Sequence, residues 1–383
     1  MVVPDPPHID RRKQIIAGIV TIATLAFVFL GVFPKFANYS EAWESMQQMS
    51  IAALVVLGIV TVLNIVVYVF PYQAAMPGLP YKDAFVVRQT SFMISNAIPA
   101  GGAFGLGVQY SMLSGYGYAP AATSTAIGAT SLWNLLVTLS LPVVGVLLLV
   151  FNGGASQAET IGAVIGLVVV AAMIGALVLV LRSESAAIRL GHIGDRIMGG
   201  LMRRFRRGDA GKTTTTAIGA DAQQVERRET GEVTAALLKF RDTLRVVVED
   251  RWVLLTVTSV AQQLCQFLIL AVAFYGIAGS DGGINPAELF AAFSLARLAG
   301  FIPITPGGLG TVDAALVALM VSSGADESVA LAANLLWRAA SFVPQVVLGI
   351  ITFLVWRGQA ARRGFRKGPA ASVEQPTNPA QEH

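Results

Sequence analysis

Ile302-Pro303-Ile304-Thr305-Pro306-Gly307-Gly308-Leu309-Gly310-Thr311 breaks an otherwise apolar stretch that runs from Ala287 to Trp356. Proline lacks the backbone donor and clashes with the preceding turn, and glycine gives up the most backbone entropy, so a helix cannot continue through it. The apolar pieces on either side, Leu289 to Phe301 and Val312 to Val321, fall short of the ~20 residues a helix needs to cross a bilayer core. The stretch reads as a broken, re-entrant hairpin over 287–325 carrying Arg297 and Asp313. A full span from Val329 to Trp356, carrying Arg338, follows it. Broken backbone and charge at membrane depth survive only inside protein or beside a water-filled cavity, so a functional site is expected here.

Composition sets the frame for that reading. The chain has 383 residues, 54% hydrophobic and 13% charged, against about 25% charged in soluble domains. It is an all-α polytopic membrane protein. Its single cysteine, Cys265, can form no intrachain disulfide, and its histidines, His8, His192 and His383, fall in the tails or the linker. Neither a His/Cys metal site nor a Ser-His-Asp or Cys-His arrangement can be assembled in the membrane. Gly211-Lys212-Thr213 lacks the upstream glycines of a phosphate-binding loop. No cofactor, no metal, no nucleic-acid partner and no enzymatic activity are expected.

Outward from the break, the chain divides into five parts. Residues 1–13 form a polar tail ending in Arg11-Arg12-Lys13. The first membrane half, 14–181, holds spans at Gln14–Phe33, Ile51–Pro71, Ala121–Phe151 and Ile161–Leu181. Between the second and third of these lies a second broken unit, 84–117, interrupted by Pro99-Ala100-Gly101-Gly102. A basic linker, 182–251, precedes the second half, 252–356, which opens with a span at Trp252–Ile277. The tail, 357–383, is expected to be disordered. In the linker, 182–207 spaces isoleucine, leucine and phenylalanine at near-helical intervals among arginines. That pattern suits an amphipathic helix on an anionic membrane surface, and equally a solvated cytoplasmic helix.

Lysine and arginine fix the orientation. Three precede the first span, 14 lie in 182–251 and five follow Trp356, whereas the loops 152–160 and 279–286 have none. Both termini and the linker are therefore expected in the cytoplasm of a multi-pass cell (inner or plasma) membrane protein. With about six full spans, the crossing count then requires 84–117 to start and end inside and 287–325 to start and end outside. That is the arrangement of an inverted-topology repeat. At a constant offset of 204 residues Ile98-Pro99 falls on Ile302-Pro303, Trp133 on Trp337, Gln109 on Asp313, Asn134 on Arg338 and Gly145 on Gly349.

Several residues carry the expected chemistry. An arginine or aspartate at a helix centre costs ~2.5–3.5 kcal/mol on insertion scales, so each must gain a partner or a ligand. Asp313 either pairs with an arginine or leaves Arg297 and Arg338 to hold an anion, to which a guanidinium offers a fork of donors. Asn334, Arg338, Ser341 and Gln345 form one polar stripe on the last span, facing the protein interior. Arg88, Asn96 and Asn134 are the first half's counterparts. Gln262, Gln263 and Gln266 serve as a cavity wall or as inter-helix hydrogen bonds. Gly307, Gly308 and Gly310 either present backbone donors to an anion or allow close packing, and Asp313 in the following first turn could satisfy those donors itself.

The run from Arg297 through Ile302-Pro303-Ile304-Thr305-Pro306-Gly307-Gly308-Leu309-Gly310-Thr311-Val312-Asp313 to Arg338 resembles a known family. It is similar to the transmembrane, flippase-like domain of lysyl-phosphatidylglycerol synthases, the multiple peptide resistance factor group. The earlier Asn96…Pro99…Gly101-Gly102 is similar to that family's first-half motif, and the likeness covers roughly 15–356. Asp313 stands where a glutamate is expected. In two-part members this domain is linked to moving aminoacylated phosphatidylglycerol between leaflets, while a separate C-terminal domain makes the lipid. No such domain is expected after residue 367.

The resemblance therefore implies a stand-alone lipid translocator for an anionic phospholipid, an aminoacyl-lipid or a polyprenyl lipid. A polyprenyl-phosphate or glycolipid carrier, a solute transporter, an intramembrane lipid-modifying enzyme and a scaffold for envelope biosynthesis are the alternatives. The oligomeric state stays open, a homo-oligomer included.

Overall fold

A computed structural model describes residues 49–97, 101–151, 251–279, 283–301, 308 and 310–364, with isolated positions at 44–47 and 168–189. The expected span 14–33, most of 161–181, nearly all of the linker, residues 365–383 and Gly307 lie outside the described residues. Residues 357–364, expected at the start of a disordered tail, are instead helical, because the last helix continues past the apolar run to Gly364. Every regular element among the described residues is helical. In chain order they are α1 Ile51–Val67, α2 Phe70–Ala75, α3 Tyr81–Ala97, α4 Gly101–Gly115 and α5 Pro120–Phe151. Then come α6 Arg251–Ala278, α7 Pro286–Ala296 continued by a 3-10 turn at Arg297–Phe301, α8 Thr311–Ser322 and α9 Glu327–Gly364.

Among the described residues, four stretches are long and apolar enough to cross a membrane: α1 with α2 (Ile51–Ala75), α5, α6 and the Glu327–Gln359 part of α9. Their outward faces carry bare aliphatic side chains such as Ile59, Val62, Val257 and Leu354, which only a lipid phase makes favourable.

Local chemistry sets the ends. Ser50 Oγ accepts from the Ala53 N–H at 3.1 Å to start α1, and Pro71 sits in the first turn of α2, where its missing donor costs nothing. Before α7, Asn285 Oδ1 accepts from Ala287 and Glu288 N–H groups while Glu288 Oε2 accepts from Asn285 N at 2.7 Å. This reciprocal cap fixes the start at Pro286. Asp326 Oδ1 accepts from the N–H groups of Ser328 (2.9 Å) and Val329 (3.3 Å) at the head of α9.

The short helices pair as two hairpins. An added Cβ on Gly101 would lie 2.5 Å from Ser95 O, and one on Gly105 would meet Ser95 Oγ and Ser91 O. Contacts stepping back along α3 as α4 advances make α3–α4 an antiparallel pair. α7 and α8 form the second pair, whose feet meet where a Cβ on Gly283 would lie 2.5 Å from Gly324 O. Each arm has at most 17 residues, about 25 Å of helix.

The two pairs stand on opposite ends of α6. Leu255 belongs to the cluster that includes Leu79 and is packed by Tyr81 and Tyr116, the feet of the first hairpin. Tyr275 donates to Ile284 O at 3.2 Å, beside the foot of the second. Twenty residues of helix, about 30 Å, separate the two levels. Two apolar clusters follow this division: one around Tyr72, Met112 and Leu255, the other around Phe274, Phe293, Leu316 and Trp337. Asn96 near the far end of α3, and Gly300 and Val312 of the second hairpin, line a cavity between these two levels.

At the 204-residue offset α3 falls on α7 with its 3-10 turn to within one residue, while α8 starts later than the counterpart of α4 and α9 ends later than that of α5. α3 packs on α9, and α7 packs on α5. At the first contact Gly349 is pressed against Met93 and the Gln89 carbonyl; at the second Gly145 is pressed against Ala291 and Ser294.

Candidate functional site

Each hairpin's first arm brings an arginine to the middle of the fold, and α9 brings a third. Arg88, Arg297 and Arg338 line one cavity of about 370 Å³. With them on its wall are Asn96, Gln109, Asn134, Thr138, Gln262, Gln266 and Ser341, closed in by Tyr68, Phe92, Trp337 and Phe342. No aspartate, glutamate, histidine or cysteine is among the described residues that line it.

The arginines are held by rings rather than by acids, with one exception. The Arg88 guanidinium lies 4.4 Å from the Tyr68 ring centroid and 5.0 Å from that of Tyr72. Arg297 lies 5.5 Å from Phe293, and Arg338 lies 4.7 Å from Trp337. A π face attracts a cation but leaves its N–H edges available. Arg88 Nε, Arg297 Nε and Arg338 Nη2 are buried without a hydrogen-bond partner among the described residues. Buried donors without acceptors are costly, so three in one cavity wall point to an acceptor that arrives from outside.

The exception is Asp313. Its Oδ1 accepts from Arg338 Nε at 2.5 Å, and its Oδ2 accepts from the Gly310 N–H at 2.8 Å. Asp313 thus pairs with an arginine and also answers one backbone donor, the Gly310 N–H, at the start of α8. It is 1% exposed and lies behind the cavity wall, so it orients Arg338 without meeting the cavity. Gly310 has φ +87° and Gly308 φ +68°, and a Cβ on Gly308 would lie 2.8 Å from Val312 Cγ2. Gly308 is thus held by close packing, while the Gly310 N–H is answered by Asp313; neither lines the cavity.

The remaining expected residues divide. Arg88, Asn96, Asn134, Arg297, Arg338 and Ser341 share the wall. Asn334 and Gln345 belong to the same buried stripe of α9 but lie off the wall. The glutamines divide as well: Gln262 and Gln266 face the cavity, while Gln263 Nε2 donates to Asn134 Oδ1 and Thr138 Oγ1, both at 3.2 Å.

Sequence reasoning missed the aromatic half of the site. Tyr68 and Tyr72 stand one turn apart across the α1–α2 junction, the spacing of two rings that can flank one cation. It also missed the chain in which Tyr72 OH donates to Gln109 Oε1 and Gln109 Nε2 donates to Ser91 Oγ. Ser91 in turn donates to Gly105 O at 3.2 Å, fastening the first hairpin.

Comparison with known proteins follows this geometry. The profile of the lysylphosphatidylglycerol synthase TM region matches residues 15–349. A UPF0104 membrane protein of Methanothermobacter thermautotrophicus is 30% identical over 161 residues, 41% of this chain and 42% of the relative.

Proposed function

We infer that this chain, which belongs to the lysylphosphatidylglycerol synthase TM region family, is a translocator that moves an anionic phospholipid between leaflets. The cavity is the station where the lipid's phosphate is held. One observation carries the reading: three arginines converge on a cavity with no acid among the described residues of its wall, and each keeps a buried donor without a partner among them. Asp313 offsets one of the three charges. The excess positive charge calls for an anion, and a guanidinium fork fits phosphate oxygens.

The size supports a headgroup rather than a whole lipid. About 370 Å³ lies near the lower end of the ~300–1,000 Å³ of small-molecule pockets, which leaves the acyl chains in the bilayer. The described residues of the wall include no carboxylate, histidine or thiol to serve as general base or nucleophile for lipid modification, which favours carriage over bond breaking.

The membrane placement proposed here puts the Lys82, Arg251 and Arg357 end in the cytoplasm and each hairpin in one leaflet, dipping to mid-depth. The halves are then an inverted-topology repeat around a mid-membrane site. Hairpin arms of ~25 Å or less against a core of ~30 Å support this.

The test is leaflet exchange of a labelled phosphatidylglycerol in proteoliposomes. Wild-type protein is expected to accelerate exchange, and the Arg297→Ala and Arg338→Ala variants, inserted and folded, to lose at least tenfold of it. Exchange at the wild-type rate in both variants would remove the arginine mechanism.

A further inference from the structure

The packing of α3 on α9 and of α7 on α5 offers a comparison inside one molecule. The first contact is antiparallel. Thr90 Oγ1 lies 3.0 Å from Thr352 Oγ1, and a Cβ on Gly349 would lie 2.4 Å from Met93 Cβ. Nearer the cavity, the Phe92 and Phe342 rings meet edge to face at 5.7 Å. Gln345 falls between Phe342 and Gly349 on the same face of α9, and Gln89 precedes Phe92 and Met93 by one turn on α3. Both are 0% exposed, and neither amide oxygen nor amide nitrogen of either has a hydrogen-bond partner among the described residues.

The fold does not demand amides there. At the 204-residue offset, Gln89 corresponds to Phe293 and Gln345 to Leu141. Those two are 1% and 6% exposed and belong to the apolar cluster of the α5–α7 contact. The same helix packing, with the same glycine at its centre, thus has apolar side chains at these two positions on one side. On the other it is closed over four amide atoms that pay for desolvation without recompense. A static contact would be better served by the apolar version.

We infer that the α3–α9 seam is a polar passage. It joins the arginine cavity to the end of the molecule marked by Lys82 and Arg357, with Phe92 and Phe342 as the constriction between cavity and passage. The α5–α7 contact is its closed counterpart. When α3 and α9 part, Gln89 and Gln345, with Thr90 and Thr352, give the moving group the donors and acceptors that water gave it outside. That the moving group is an anionic lipid headgroup rests on the translocation reading above; that the seam opens to water does not.

Two experiments separate these claims. In a Cys265→Ser background, Gln345→Cys and Leu141→Cys are exposed in proteoliposomes to a membrane-impermeant thiol reagent on both sides. Gln345→Cys is expected to react at least tenfold faster than Leu141→Cys; equal rates would overturn the passage whether or not the protein moves lipid.

In the same background, Thr90→Cys with Thr352→Cys is oxidised to pin the seam. Phosphatidylglycerol exchange is expected to fall at least tenfold and to return on reduction. Undiminished exchange in the crosslinked protein, with exchange still lost in Arg297→Ala, would sink the passage and leave translocation standing. Fast labelling at Gln345→Cys in a protein that exchanges no lipid would do the reverse.

Discussion

Asp313 and Arg297 show two ways in which a membrane-buried charge is kept. Asp313 is bonded on both oxygens, to Arg338 and to the start of α8. Removing one member of a buried pair strands the other, so Asp313→Ala is expected to cost ~3–5 kcal/mol, read as a large drop in the thermal unfolding midpoint in detergent. Arg297 has a ring and a buried Nε without a partner, but no acid partner among the described residues. Arg297→Leu is expected to leave that midpoint unchanged or raised while weakening headgroup binding roughly 10- to 100-fold, the equivalent of ~1.5–3 kcal/mol for a charged hydrogen bond. A midpoint that falls as far as that of Asp313→Ala would make Arg297 a structural residue.

Asp326 gives the pH dependence. The Ser328 hydroxyl, then the Val329 N–H, hold its carboxyl below the ordinary value, which is about 3.9. A depressed folded-state value means the cap's contribution is complete above the ordinary value and is lost as pH falls through the lower, folded one. Asp326→Ala should cost ~1 kcal/mol at neutral pH, a difference that narrows only in strong acid. A constant difference down to that range would show that the carboxylate charge contributes nothing.

At the scale of elements, the glycines separate by what surrounds them. Gly349 has no room for a methyl against Met93 and Gln89, whereas Gly107 in α4 has open space. Gly349→Ala is expected to destabilise by ~1–3 kcal/mol, and Gly107→Ala to stabilise by ~0.5–1 kcal/mol, the helix propensity difference. Paired thermal melts check both; equal shifts would contradict the α3–α9 packing.

Two of the long helices were legible in the sequence to within one residue at each end, whereas α9 runs to Gly364, past its expected end at Trp356. Ala121–Phe151 was expected where α5 begins at Pro120, and Trp252–Ile277 where α6 runs Arg251–Ala278, because long apolar runs leave one conformation open in lipid. The α1–α2 turn at Tyr68 and Val69 was not placed: Pro71 was read as the end of one span rather than as the first turn of a following helix. The arginines of the site were legible because charge in an apolar run is costly wherever it faces. Tyr68, Tyr72, Phe92 and Phe342 were not, because an aromatic side chain in an apolar run is unremarkable until the fold sets it beside a guanidinium or across a seam.

For the whole molecule, the account requires a polarity. Single cysteines at Lys82 and Arg357 should be labelled from one side of the membrane and those at Ser50 and Gly283 from the other; labelling of all four from one side would remove the inverted arrangement. The three arginines come from both halves and meet only in the folded protein, so the site belongs to neither half alone.

The central claim is that this shared cavity holds an anionic headgroup. Native mass spectrometry of protein released from bilayers containing equal phosphatidylglycerol and phosphatidylcholine tests it most directly. The wild-type protein is predicted to retain phosphatidylglycerol in preference, with the preference lost in Arg297→Ala. Equal retention of the two lipids by the wild-type protein, or an undiminished preference in the variant, would contradict it.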